Sequence, residues 1–457
     1  MSNIRLWTAQ MLENHPVKVE KDRYKIQYLN ILEYFVRKYA SDDIWAKKTF
    51  DLYVDNILVD KKKYQYSPND FRKQAKAIRA TKFKPFRMFT YRYCMLMDCI
   101  FLCAYTDKRK GEKIFNELSN MYYGKYEKKL KKVFQFLYNI SLPLNDIRNG
   151  SKEIDYIREC WIENRRFCSK KPIKIMITAN MSAGKSTLLN AFVGKKVNRT
   201  QNEACTAKIH YIINKAYEDG LTYKVDSGIS LNAQCKELME DDINSEKSAI
   251  VVSTFFRTFL SEIERIYFID TPGVNSSQNA VHREIAEKAI VNERVDLLIY
   301  VLNGENIGTE DDRKHLRFIR QNYHGKILFV INKLDKFRSN EDSVIETLNS
   351  AVEDLKSLEF ENPNVVPVSA YAAYLAQINL LEEALNEDEQ DEIGRLKRKF
   401  RKTEFQLDTY YPENVQQEIQ VGNDNDAYKI LLHSGILHLE KMIYELGGKT
   451  RDERNLY

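Results

Sequence analysis

The stretch from Ile173 to Phe192 constrains this chain more than any other. Residues 173–177, Ile-Lys-Ile-Met-Ile, are a β-rich apolar run that predicts a buried strand, and 187–193 predicts the opening of a helix. Between them lies Ala179-x-x-x-x-Gly184-Lys185-Ser186, a phosphate-binding loop with Ala where the first Gly usually stands. Strand before and helix after separate it from a chance Gly-Lys-Ser match in a lysine-rich chain. The main-chain N–H groups of 182–186, including Ala183, can converge on phosphate oxygens, helped by the positive end of the helix that Thr187 enters. Gly184 allows close approach of the backbone. Lys185 can reach the β- and γ-phosphates, and the Ser186 hydroxyl can ligate Mg²⁺.

Three later segments select the base. The apolar run 266–269 ends in Asp270-Thr-Pro-Gly273, which offers a carboxylate to Mg²⁺ through water and the Gly273 N–H to a γ-phosphate. A third run, 327–331, ends in Asn332-Lys333-Leu334-Asp335. The Asp335 carboxylate can accept from the ring N–H and the exocyclic amine of guanine, whereas adenine presents a lone pair there, leaving a buried polar group unpaired. Residues 365–368 then lead to Ser369-Ala370, in the position of the last base-contacting element of GTPases. Each piece alone is a common turn. Their order after the phosphate loop points to GTP and GDP.

The segment Ser182-Ala-Gly-Lys-Ser-Thr-Leu-Leu-Asn190-Ala191, with Gly194 beyond it, resembles the dynamin superfamily of GTPases, in particular the bacterial dynamin-like proteins. The resemblance covers roughly 170–375. It implies that Cys205-Thr206-Ala207 is the first switch, with Thr206 a ligand of the γ-phosphate and of Mg²⁺, and that Ser182 sits beside a Na⁺ or K⁺ ion that offsets transition-state charge. The implied catalytic set is Ser182, Lys185, Thr206 and Gly273, and the implied metal ligands are Ser186, Thr206 and Asp270. It also implies a homodimer formed through the GTPase domain, across the nucleotide. Two positions depart from the pattern. Met181 stands where dynamins usually carry a water-ordering Gln, and Val274 where small GTPases often do. Slow or vestigial hydrolysis in the isolated molecule is the expectation from both.

Charge divides the chain. Residues 1–170 carry 35 Lys and Arg against 20 Asp and Glu, a net +15, while the remainder carries 36 against 45, a net −9. The basic part reads as helical: Ile26, Leu29, Leu32, Phe35 and Val36 recur at three-to-four spacing, as do Ile114, Leu118 and Tyr122. The expected architecture is therefore an α/β, doubly wound GTPase domain preceded by an all-α bundle of five or six helices. Its bounds are 1–168 for the bundle and 169–457 for the GTPase domain, with a charged insertion at about 380–425 and a C-terminal helix at about 428–446.

Between Lys61 and Arg92, basic residues alternate with Tyr64, Tyr66, Phe71, Phe83, Phe86, Phe89 and Tyr91. Such a stretch can grip RNA or an anionic membrane surface. It equally suits a bundle with aromatic core positions and snorkelling lysines. The block from Glu382 to Lys402, acidic and then basic, reads as a solvated helix or an insertion.

Seven cysteines without a Cys-x-x-Cys pair, and a start without a signal-peptide pattern, suit a cytoplasmic protein. The most hydrophobic stretch, 95–104, is too short to span a bilayer, so any membrane association is expected to be peripheral. Dynamin-like proteins place most of their stalk after the GTPase domain. Here the helical material precedes it, so a partner protein would supply the stalk function. Two other readings stay open: a translation-type GTPase gripping ribosomal RNA through its basic bundle, and a GTP-regulated interaction module.

Overall fold

The structure, a computed structural model, describes residues 12–67, 91–121, 127–142, 152–180, 182–198, 208–239, 249–257, 265–274, 280–381, 385–416 and 425–448. The chain divides into two units: 1–170 with 216–221 and 229–231, and the rest. The described part of the first is mainly helical and the second is an α/β domain.

In the first unit the described helices are α1 (Asp22–Tyr39), α2 (Ile44–Ile57), α3 (Arg92–Ala104), α4 (Lys108–Met121), α5 (Glu127–Tyr138) and α6 (Lys152–Ser169). The hub is α3, buried from Tyr93 to Ala104 without a solvent face. A helix apolar all round belongs inside a bundle. Its one buried charge, Asp98, is saturated: Oδ2 bonds the His15 imidazole at 2.9 Å and accepts from the Tyr28 hydroxyl, and Oδ1 accepts from Tyr53 at 2.9 Å. Satisfied in this way, a buried carboxylate ties helices together where an unpaired one would split them. Cys94, Cys99 and Cys103 line the same helix as buried thiols.

Of the aromatic–basic stretch, Lys61, Lys62 and Lys63 are exposed, and the described tyrosines contact the bundle. The Tyr64 hydroxyl donates to Glu33 at 2.5 Å, the Arg37 guanidinium lies 4.3 Å over the Tyr66 ring, and Tyr91 donates to Glu20. These are bundle contacts. Phe71, Phe83, Phe86 and Phe89 lie outside the described residues. Among the described residues no helix is long and apolar enough to cross a membrane.

The second unit contributes eight strands to one sheet: β1 (Ile173–Ala179), β2 (Ile209–Asn214), β3 (Tyr223–Val225), β4 (Ala249–Thr254), β5 (Ile266–Asp270), β6 (Leu297–Asn303), β7 (Ile327–Asn332) and β8 (Asn364–Pro367). Their order is β3-β4-β2-β5-β1-β6-β7-β8. Strands β5, β1, β6, β7 and β8 run parallel, with Ile177 opposite both Asp270 and Ile299. β2 runs antiparallel to β5. The parallel strands are near-continuous apolar runs because helices cover both faces. Parallel direction gathers their carboxyl ends at one edge, which brings the phosphate loop, Asp270, Asn332 and Ser369 into one neighbourhood.

Two expectations need correction. The C-terminal helix is two helices, Asp426–His433 and Ile436–Gly448. Gly435 separates them at φ +80°, a left-handed conformation suited to Gly, and a Cβ there would meet the Pro367 carbonyl at 2.8 Å. The charged block is a helix, one of the two readings its sequence offers, but not a wholly solvated one. Its described part forms a helix, Glu387–Lys399, opened by a reciprocal Asn386–Glu389 capping box, and Leu396 and Phe400 enter the domain core.

Candidate functional site

Strand β1 ends at Ala179, and the chain turns through a loop whose sharpest points are Ser182 at φ +66° and Gly184 at φ +86°. Ala183 is buried, Ser182 is exposed, and Gly184, Lys185, Ser186 and Thr187 are half-buried. The helix α7 (Lys185–Val193) begins immediately after, so its unbonded N–H groups face the loop. A Cβ on Gly184 would lie 2.4 Å from the Asn332 side-chain nitrogen. Glycine is required there twice, for the backbone angle and for space.

Lys185 forms an ion pair with Asp270 Oδ1, and Asn198 donates to Asp270 Oδ2 at 2.6 Å. Asn198 is itself held through Asn190 of α7: the Asn190 Oδ1 accepts from the N–H groups of Val197 and Asn198, and its amide donates to the Asn198 carbonyl. Thr271 and Val274 continue β5 against β1, bonding the carbonyls of Ile177 and Ala179. Val274 is thereby buried, and Gly273 is left half-buried beside it.

Asn332 links the phosphate loop to the base side. Its amide donates to the carbonyls of Ala183 at 3.0 Å and Gly184 at 3.3 Å, while its Oδ1 accepts from the Ala370 N–H at 3.0 Å. Lys333 adopts φ +69° and turns the chain so that Asp335 comes in behind it. Asp335 is buried, with Oδ1 accepting from the Ser369 hydroxyl at 2.7 Å, and Oδ2 bonds no described residue. Ser369 caps the helix Ala370–Leu380 through the Ala372 N–H.

Every described site residue named from the sequence thus lies along one edge of the sheet. Thr206 and Met181 lie outside the described residues. Sequence reasoning missed Asn198, Arg395 and Lys399. Lys399 is buried, and its ammonium donates to the carbonyls of Leu334 at 2.8 Å, Asp335 at 2.7 Å and Phe337 at 2.7 Å. Burial draws it down to about 8, against the pull of nearby Asp335. Arg395 donates to the Asp335 carbonyl at 3.1 Å and is locked to Glu392 by two hydrogen bonds. The apolar spacing of Leu396 and Phe400 within the basic run was the available signal.

Residues 175–334, from within β1 to the base loop, match the Dynamin family model. This stretch is similar to the GTPase domain of the dynamin family. The chain is 25% identical over 210 residues to a probable transmembrane GTPase, FZO-like and chloroplastic, of Arabidopsis thaliana, covering 46% of this chain and 20% of that protein. It is 23% identical over 169 residues to Dynamin-like protein A of Bacillus subtilis, covering 37% and 14%. GTPase Era of Haemophilus influenzae is 26% identical over 200 residues, covering 43% and 48%. In each case the similarity spans less than half of the relative's length.

Proposed function

We propose that this chain binds GTP with Mg²⁺ and hydrolyses it to GDP and phosphate, coupling switch movement to dimerisation through the GTPase domain and to the helical residues. The observation that carries the reading is Asp335: a buried carboxylate with one oxygen steadied by Ser369 and the other open, at the sheet edge that also holds the phosphate loop. Guanine offers such a carboxylate two N–H donors, and adenine offers one lone pair in the same place. GTP and GDP should bind at micromolar concentration or below and ATP at least ~100-fold more weakly. Asp335→Asn should turn the preference towards xanthine nucleotides, whose C2 carbonyl accepts from an amide. Coincident titration curves for ATP and GTP would overturn the reading.

The Lys185–Asp270 pair gives the order of events on binding. Arriving phosphates offer Lys185 more negative charge than a single carboxylate does, so the ammonium exchanges Asp270 for the β- and γ-oxygens. Asp270, still held by Asn198, is then free on its Oδ1 side. Its carboxylate, with the hydroxyls of Ser186 and Thr206, is an all-oxygen donor set of the kind Mg²⁺ takes. Mg²⁺ would supply charge neutralisation between the phosphates. The Gly273 N–H and the loop N–H groups from Ser182 onward would hold the γ-phosphate. Ser182 is the residue beside which a Na⁺ or K⁺ ion would sit. Buried Val274 leaves no side chain there to orient water, which favours a second molecule completing the site.

A second reading keeps the same nucleotide chemistry and gives the first unit RNA as its partner. The net +15 of residues 1–170 favours it.

A further inference from the structure

Lys399 carries an inference that rests on the guanine reading and extends it to a residue no base-contacting motif includes. The base loop 333–337 is a single tight turn: Lys336 N–H bonds the Lys333 carbonyl and Phe337 N–H the Leu334 carbonyl. A protonated lysine has three N–H donors and no acceptor. Lys399 places all three on Leu334, Asp335 and Phe337, one donor to each carbonyl. Its ammonium also lies over the Phe405 ring, 4.4 Å from the centroid. Arg395, one helical turn earlier, adds a fourth bond, again to the Asp335 carbonyl.

We propose that Lys399, seconded by Arg395, is the positioning residue for guanine recognition: it fixes the main chain of 334–337 so that the Asp335 carboxylate meets the base edge. The physical case is that burying an ammonium is costly unless its donors are met, and here they are met only by this loop. The charged groups facing it are Asp335 and Asp342 from the base-loop side and Glu392 and Arg395 from its own helix. No carboxylate forms a direct ion pair with it among the described residues, so its binding energy goes into holding loop carbonyls. One side of Asp335 is thus set by Ser369 through the side chain and the other by Lys399 through the main chain.

The test separates base reading from general stability. ITP lacks the exocyclic amine of GTP and is otherwise the same ligand. The ratio of GTP to ITP affinity therefore reports the amine half of the Asp335 contact. In the wild-type full chain GTP should be preferred about tenfold or more, the value of one hydrogen bond to a charged group. Lys399→Met keeps the aliphatic stem and removes the donors. It should weaken GTP about tenfold more than ITP, which has only the ring N–H to lose, and so collapse the ratio. A merely structural role would weaken both nucleotides equally and preserve the ratio, which would overturn the proposal. Should Lys399→Met not fold, as judged by its melting transition, the half-exposed Arg395→Met decides, with a smaller loss of the same ratio expected and an unchanged ratio overturning it. A wild-type chain that does not discriminate GTP from ITP would instead overturn the guanine reading itself.

Discussion

Gly184 is the residue at which both halves of the site depend on one missing methyl. Alanine there would bring a left-handed backbone cost of about 1–2 kcal/mol and a Cβ 2.4 Å from the Asn332 amide. Asn332 would have to leave the carbonyls of Ala183 and Gly184, and its Oδ1 bond to Ala370 would go with it. Gly184→Ala should therefore weaken GTP and GDP alike, about tenfold or more, as measured by titration with a fluorescent guanine nucleotide. Undiminished affinity would show that the two loops are not coupled through Asn332. Lys185, Asp270, Asn332 and Asp335 were legible from sequence because they are spaced by strand and loop lengths that nucleotide geometry dictates. Asn198 and Lys399 were not, because they act on main-chain atoms of distant segments. Only the folded chain brings Asn198 to Asp270 and Lys399 to 334–337.

Among the elements, the strands were the most legible. Apolar runs such as 173–177 and 327–331 can hardly be anything but buried strands between helices, and β1 and β7 fall on them. The helix ending near Leu446 was read as continuous because its apolar positions continue past Gly435. The backbone turn comes from the left-handed glycine that lets Ser434 and Gly435 pack on 367–369. In the block from Glu387 to Lys399 the net charge reports the solvated faces of a helix and not the one face carrying Leu396 and Lys399.

Packing of elements also sets a pH dependence. His315, on the helix Glu310–Asn322, is buried beneath the sheet, with Nε2 3.1 Å from the Thr178 hydroxyl of β1. Burial, reinforced by Arg283, draws its imidazole down to about 4. A base whose folded value lies below its unfolded one is neutral in the folded state while the unfolded chain takes up a proton. Its contribution to stability is full above about pH 6.5 and is lost as pH falls towards about 4. Between pH 7 and pH 5 the wild-type chain should lose about 2 kcal/mol more unfolding free energy than His315→Gln does, read from urea unfolding at the two pH values. Equal losses would mean that His315 is not held neutral.

At the scale of the whole molecule, the uneven charge sets up the choice of partner. If the dynamin reading holds, the rate of GTP hydrolysis per molecule should rise with protein concentration. Buried Val274 offers no water-orienting group, and pairing across the nucleotide would order the switches and exclude bulk water. Turnover should also require Na⁺ or K⁺ beside Ser182 and should be stimulated by liposomes or by a partner protein. Such completion of a site in trans is worth up to ~10³–10⁵ in rate where an arginine supplies it. If the RNA reading holds, the rate should be flat with concentration and rise with ribosomal subunits. Association would then weaken steeply between 50 mM and 200 mM salt, about 10³-fold or more for several phosphate contacts, since residues 1–170 carry the net +15. The two readings part on one assay, steady-state GTP hydrolysis across protein concentration, monovalent cation, liposomes and ribosomal subunits. A flat, cation-independent rate that responds to ribosomal subunits and not to liposomes would exclude dimer-driven hydrolysis for this chain.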